Sequence, residues 1–270
     1  MTGTAVARQA WVEQIMGMPI SVHLRGPDVA GEAAATAVQA VFDDLRSVDA
    51  TFSTYRPDSD ISRLNRGEVD VAGCDPSVAD VIGLCEEARR RTGGAFDANL
   101  PSPSGGVWFD PSGLVKGWAV ERAAARLAAL GPEAGLDFCF NAGGDVIVGT
   151  ASDGSAAWRV GIEDPDDLGR ILGVVELRRG GVATSGSAHR GDHIVDPRRG
   201  AAAVALRAAT VTGPSLLWAD VYATAAVVRG AEALDWLAGL PGYEALVVTP
   251  TGELFATPEF ALAASSPATS

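Results

Sequence analysis

Basic residues are scarce in this chain: 21 lysines and arginines stand against 34 aspartates and glutamates, a formal net charge of −13. That deficit argues against a nucleic-acid partner, because phosphate-backbone binding depends on Lys and Arg displacing counterions. An anionic ligand must then be met by local basic groups, helix N-termini or a divalent cation. Cysteine is scarce too. Cys74, Cys85 and Cys139 are an odd number without Cys-x-x-Cys spacing, which speaks against a disulfide framework or a structural zinc site and suits a reducing compartment. No run approaches the roughly 20 apolar residues needed to span a bilayer, and Met1 to Ala10 lacks the apolar stretch of a signal peptide. No membrane insertion and a cytoplasmic location are expected. Internal repeats are lacking, and the G-x-x-x-x-G-K-[ST] phosphate loop is absent. What remains is an ordinary globular composition, 47% apolar and 20% charged over 270 residues, enough for a sizeable core.

Chemistry concentrates between Gly186 and Gly200, which hold two of the three histidines, His189 and His193, with aspartates, arginines and glycines. So polar and glycine-rich a segment reads as a loop on a rigid scaffold, where reactive groups gather. Taken alone it offers no choice between the two histidines. The third, His23, falls in the alternation Ile20-Ser-Val-His-Leu24 and reads as an ordinary strand residue.

Val38, Val41, Phe42, Leu45, Val48 and Phe52 recur at helical spacing, which predicts a long amphipathic helix from about Gly31 to Phe52. The hydroxyl-rich stretch from Ser53 to Asn65 is either a solvated loop or a ligand-facing one carrying Tyr55 and Arg56, with a helical turn starting at Asp60. Asp75-Pro76 marks a second helix start, with Gly93-Gly94 as its end. A Pro/Gly/Ser-rich connection follows. Phe109-Asp-Pro-Ser-Gly-Leu-Val-Lys-Gly-Trp118 then reads as a glycine-rich approach to a helix over 119–130, stopped by Gly131-Pro132. Its glycines and Lys116 could meet a phosphate; the stretch alone does not decide it. The second half reads as a meander of strands, with a hairpin turn over 152–155 and a strand over 203–211.

Ser215 to Arg229 is nearly all apolar, with Asp220 and Thr224 as polar exceptions four residues apart, and so on one helix face. A buried carboxylate needs a partner. Either an arginine forms an ion pair with Asp220, or the aspartate and hydroxyl hold a hard cation through oxygen.

Several segments, in chain order, are similar to motifs of the ApbE family, the FAD:protein FMN transferases. Met16-Gly-Met18 resembles its N-terminal Met-Gly motif, and Ser53 to Asn65 its S-x-Y-x-x-x-S-x-[IL]-x-x-[IL]-N loop. Gly94-Ala-Phe-Asp97 resembles G-x-F-[DN], Asp110 to Gly117 resembles D-x-[GS]-G-x-x-K-G, and Asn141-Ala-Gly-Gly-Asp145 resembles N-x-G-G-D. Val182-Ala-Thr-Ser-Gly186, His193-Ile-Val-Asp-Pro197 and Ala219-Asp-Val-Tyr-Ala-Thr224 complete the order. The segment from Ala98 to Phe109 is shorter than is usual in the family, and no lipobox is present.

The resemblance implies an α+β (mixed α/β), T-fold-like architecture of antiparallel sheets flanked by helices, one domain over 1–262 with a disordered tail over 263–270. It implies a Mg²⁺-dependent enzyme that cleaves FAD, attaches FMN through its phosphate to a threonine of an acceptor flavoprotein, and releases AMP. It also assigns roles. Asp220, Thr224 and the backbone carbonyl of Val115 hold Mg²⁺, and Asp220 and His193 form the catalytic set, with His193 accepting the threonine proton. Tyr55, Met16 and Met18 line the flavin pocket, and Asp110, Lys116, Asp145, Thr184 and Ser185 contact FAD. His189 is left as a loop residue. The alternatives are a Mg²⁺-dependent FAD pyrophosphatase, with water in place of threonine, and a non-catalytic FAD-binding protein.

Overall fold

A computed structural model describes residues 6–101, 105–186, 194–197 and 200–263. The chain begins with a hairpin of β1 (Arg8–Ile15) and β2 (Met18–Arg25). Its two-residue turn is Met16-Gly17, both with positive φ, +54° and +71°, the left-handed pair whose twist matches a right-handed strand ladder. The helix predicted from Gly31 follows as α1 (Glu32–Phe52). Then α2 (Asp60–Asn65) is capped by the Ser59 hydroxyl, and α3 (Pro76–Arg91) by the Asp75 carboxylate. A short hairpin, β3 (Asn99–Pro101) and β4 (Val107–Phe109), leads to α4 (Ser112–Ala134).

Here the structure corrects the sequence reading. The glycine-rich stretch around Lys116 is the first part of α4 itself, because the Asp110 carboxylate accepts the backbone N–H of Ser112 at 3.0 Å and starts the helix there. At its far end the helix runs through Gly131. It stops at Gly135, which takes the left-handed conformation (φ 63°) that closes helices.

The strands after α4 are β5 (Asp137–Ala142), β6 (Asp145–Gly149), β7 (Trp158–Asp164), β8 (Asp167–Leu177) and β9 (Gly180–Gly186). A small pair, β10 (Val195–Asp196) and β11 (Ala201–Ala202), precedes β12 (Ala208–Gly213). Thus β12 starts five residues later than the predicted 203. The predicted apolar helix is α5 (Leu216–Arg229), capped by Ser215 with Pro214 before the cap, and α6 (Ala233–Ala238), β13 (Glu244–Val248) and β14 (Leu254–Ala256) close the chain.

Eight strands form one sheet in the order β1-β2-β5-β6-β9-β12-β13-β14, and every neighbouring pair is antiparallel. This is not the simple meander expected. After β6 the chain leaves the sheet, builds β7–β8 as a separate hairpin, and returns as β9. The turn over 152–155 therefore carries the chain away from the sheet and is not a hairpin between paired strands.

Strand side chains alternate between two cores. Phe138, Phe140, Ile147, Ala183, Ala209, Val211 and Val247 pack with the helices. Their neighbours Val146, Val148, Val182 and Leu246 pack with Val160, Ile162 and Val175 of the hairpin. The sheet is thus sandwiched between helices and hairpin. Ala263, assigned to the tail by sequence, donates its N–H to the Val174 carbonyl at 2.7 Å; residues 264–270 lie outside the described residues.

Candidate functional site

Helices α4 and α5 are locked side by side by their own residues. The Glu121 carboxylate of α4 accepts the Ser215 hydroxyl at 2.8 Å and the Leu217 N–H at 2.9 Å, satisfying the open N-terminus of α5. One turn earlier, Gly117 leaves room for α5: a Cβ there would sit 3.1 Å from Leu217 Cα and 3.2 Å from the Asp220 side chain. That close approach brings Lys116 to Asp220.

Lys116 Nζ forms an ion pair with Asp145 and lies 3.5 Å from Asp220 Oδ2. Both aspartates are buried, 1% and 2% exposed. Asp220 therefore has a cationic partner, a lysine from α4 where the sequence offered an arginine as one alternative. Asp145 also accepts the Thr184 N–H at 3.1 Å, and the Thr184 hydroxyl shares a hydrogen bond with that of Thr210 at 2.9 Å. On the α5 side, Thr224 and Ser185 join through their hydroxyls at 3.0 Å. Asp220 and Thr224 do share one helix face, as their spacing predicts.

Most of these groups border a cavity of ≈ 350 Å³ at the end of the sheet where the β5–β6 turn and the end of β9 meet, within the roughly 300–1,000 Å³ usual for small-molecule sites. Lys116, Thr184, Ser185, Asp220 and Thr224 line it, with Asn141, Gly143 and Gly144 of the turn. The turn has a structural reason: Gly143 and Gly144 have φ of 61° and 101°, and the Asn141 side chain accepts the Gly144 N–H at 3.0 Å. Asp145 stands behind Lys116 as the residue that orients it.

The opposite wall comes from the β7–β8 hairpin, through Arg159, Glu163, Asp164 and Leu168. Sequence reasoning missed these. Nothing in an alternating strand pattern says which sheet the strand joins, or that it folds over a pocket. The Asp164 carboxyl is held below the usual carboxylate range, first by the N–H of Asp166 and also by Arg170.

Other described residues named from sequence lie outside the cavity lining. Tyr55 is 95% exposed and lines no part of the cavity. Met16 forms the first hairpin turn, and Met18 is buried against Gly143, whose added Cβ would meet its sulfur at 2.7 Å. Asp110 starts α4. The Val115 side chain is in the core, and its carbonyl, inside a continuous helix, belongs to the helical ladder. His23 shares a hydrogen bond with Ser21 at 3.1 Å on the sheet surface. His189 and His193 lie outside the described residues; the chain passes into that stretch from Gly186, which lines the cavity.

The oxygen donors suit a hard cation. Asp220 offers a buried carboxylate and Thr224 a hydroxyl on the same face, although no group of three or more His, Cys, Asp or Glu placed to hold a metal occurs among the described residues. None of their helices is long and apolar enough to cross a membrane.

An acid–lysine centre in a ligand-sized cavity, on a mixed helix and antiparallel-sheet frame, defines a small-molecule site of the α+β class. The profile of the ApbE family matches residues 16–102 and 98–247, and the chain belongs to that family. It is 36% identical over 165 residues to an FAD:protein FMN transferase of Rhodobacter capsulatus, a stretch covering 57% of this chain but 30% of that protein. With the FAD:protein FMN transferase of Vibrio cholerae it shares 25% identity over 281 residues, 78% of this chain and 82% of that one. The fold superposes on an ApbE protein of Thermotoga maritima with a TM-score of 0.81 at 21% identity, covering 94% of this chain and 98% of that one. The apo flavinyl transferase ApbE of Pseudomonas stutzeri gives a TM-score of 0.77 at 25% identity, covering 96% and 97%.

Proposed function

We propose that this protein is a Mg²⁺-dependent FAD:protein FMN transferase that joins FMN to a threonine of an acceptor flavoprotein and releases AMP. The observation that carries the reading is the pairing of a buried carboxylate and a hydroxyl, Asp220 and Thr224, on one face of α5 beside Lys116 at the cavity wall. Phosphoryl transfer calls mainly for positioning and charge neutralisation, and a chain of net charge −13 has few basic groups to supply the second. Asp220 and Thr224 would hold Mg²⁺, which would neutralise phosphate charge when bound. The Val115 carbonyl could join them, because a carbonyl keeps a second lone pair beyond its helical bond.

Asp145 fixes Lys116, and the Asn141–Asp145 turn and Thr184 shape the floor against which FAD lies. His193 accepts the proton of the acceptor threonine, a task for an imidazole with pKa near neutrality. The threonine oxygen then bonds to the FMN phosphorus as the bond to AMP breaks, so one P–O bond forms and one is lost. Three free cysteines fit a cytoplasmic, reducing setting.

The test is incubation with FAD, MgCl₂ and a threonine-bearing acceptor. The expected result is a protein band with in-gel flavin fluorescence, a mass increase of one FMN, and AMP. Asp220→Ala should abolish turnover, and His193→Ala should slow transfer while sparing FAD binding. Free FMN and AMP without acceptor would favour the pyrophosphatase; stoichiometric FAD binding without turnover would favour a carrier. Full activity of Asp220→Ala in EDTA-treated, Mg²⁺-restored buffer would overturn the cation assignment.

A further inference from the structure

Among the 21 lysines and arginines of the chain, Lys116 is the only lysine. It sits where two buried carboxylates converge, with its side chain 17% exposed and those of Asp145 and Asp220 2% and 4%. Everywhere else the chain uses arginine. The two cations differ in kind. A guanidinium is a planar fork that grips a carboxylate in fixed geometry, whereas an ammonium is a compact point charge on a flexible stem. An ammonium can release one carboxylate while keeping another.

The geometry is lopsided in the direction such an exchange requires. Lys116 is in direct contact with Asp145, which the Thr184 N–H also holds from the sheet. Its approach to Asp220 is looser, 3.5 Å. Asp220 lines the cavity and Asp145 stands behind it. The cavity-facing carboxylate is the one Lys116 holds less closely.

We infer that Lys116 is the built-in counter-cation of Asp220: it neutralises this carboxylate while the site lacks a divalent cation and yields it, remaining on Asp145, when one is taken up. The inference rests on the proposed Mg²⁺ reading. An ammonium and a divalent ion cannot share one buried carboxylate without strong repulsion at such short range, so uptake is an exchange and not an addition. The apo protein keeps its buried acids compensated, and the site gives up some cation affinity in return. Lys116 is then a positioning residue for the cation.

The sign of one substitution separates this from the ordinary view, in which lysine and metal act together. Lys116→Met removes the competitor. By calorimetry with MgCl₂ on EDTA-washed protein, the variant should bind Mg²⁺ at least about tenfold more tightly than the parent. Its melting temperature should be lower in EDTA and recover more on adding MgCl₂. Equal or weaker Mg²⁺ affinity in the variant overturns the inference.

A second measurement needs no substitution and no folded variant. Protein labelled with [ε-¹³C]lysine carries a single labelled site, because there is one lysine. Its resonance should move on MgCl₂ titration with the midpoint found by calorimetry. A resonance that stays fixed while Mg²⁺ saturates the protein sinks the exchange and leaves the Mg²⁺ reading standing. Absence of Mg²⁺ binding to the unaltered protein sinks both.

Discussion

Arg25 and Asp137 make the strongest single test of how the cavity's outer wall is held. Their side chains are each 8% exposed, with Arg25 Nε 2.9 Å from Asp137 Oδ2. The guanidinium lies 4.0 Å over the Trp158 ring at the start of β7 and donates to the Ala156 carbonyl. Asp137 Oδ1 accepts the Ala151 N–H at 2.7 Å and the Ser155 hydroxyl at 3.0 Å. One buried pair thus ties the main sheet to the connection that launches the hairpin, one residue before cavity-lining Arg159. Asp137→Asn keeps an oxygen for Ala151 and Ser155 but leaves the buried guanidinium uncompensated. Breaking a buried pair in this way costs about 3–5 kcal/mol. At roughly 2–4 °C per kcal/mol, suited to a chain of this size, the melting temperature should fall by about 6–20 °C. Adding Arg25→Met removes the stranded charge, so the double variant should be no less stable than Asp137→Asn alone. Urea denaturation of parent, singles and double closes the cycle. If the two single costs simply add, to within about 0.5 kcal/mol, the pair is not coupled and the clamp reading fails.

Gly117→Ala would normally favour a helix by up to about 1 kcal/mol. Here the new methyl crowds Leu217 and Asp220, so a net loss of about 1–2 kcal/mol in urea denaturation is expected; a stabilised variant would show that α4 and α5 can part freely. The hydrogen bonds that depress Asp164 contribute stability above the unfolded aspartate pKa of about 4, and that stability is lost as pH falls through the lower folded value. Hydrogen exchange in residues 158–170, corrected for intrinsic rates, should be flat from about pH 5 to 8 and rise below about 4; loosening between 5 and 8 would contradict this. Burial pushes the thiols of Cys85 and Cys139 up to about 12 and about 11. At pH 8 Cys85 should not react with a disulfide reagent until the protein is unfolded, and fast native labelling of it would refute its burial; Cys139, half-buried and lining the cavity, should react ahead of it.

Where local physics dominates, the structure follows the sequence closely. The apolar spacing of α1, the Asp75-Pro76 start of α3 and the shared face of Asp220 and Thr224 are set by residues a turn apart, and each is observed. The start of α4 was not legible, because glycine at 113 and 117 reads as loop until its neighbours are known. In place, Gly113 meets the Phe96 ring and Gly117 meets α5, so both serve close packing. Strand order was hidden for a related reason. Alternation says that one face of β7 is buried but not against what, and the hairpin's departure from the main sheet is what puts Arg159 and Glu163 on the cavity. Motif resemblance names residues without their local structural setting: Asp110 starts a helix, Met16 makes a turn, and Tyr55 is exposed.

The site is therefore built from the register between two helices more than from any loop. Residues 116, 117 and 121 of α4 face residues 215, 217 and 220 of α5 through an ion pair, a close approach and a cap. Each of these contacts would be lost if one helix slid along the other. Glu121 touches no part of the cavity, yet its grip on the first turn of α5 fixes how far Asp220 lies from Lys116. The cavity-lining carboxylate and its cation are thereby held on rigid elements whose relative position is set by buried contacts.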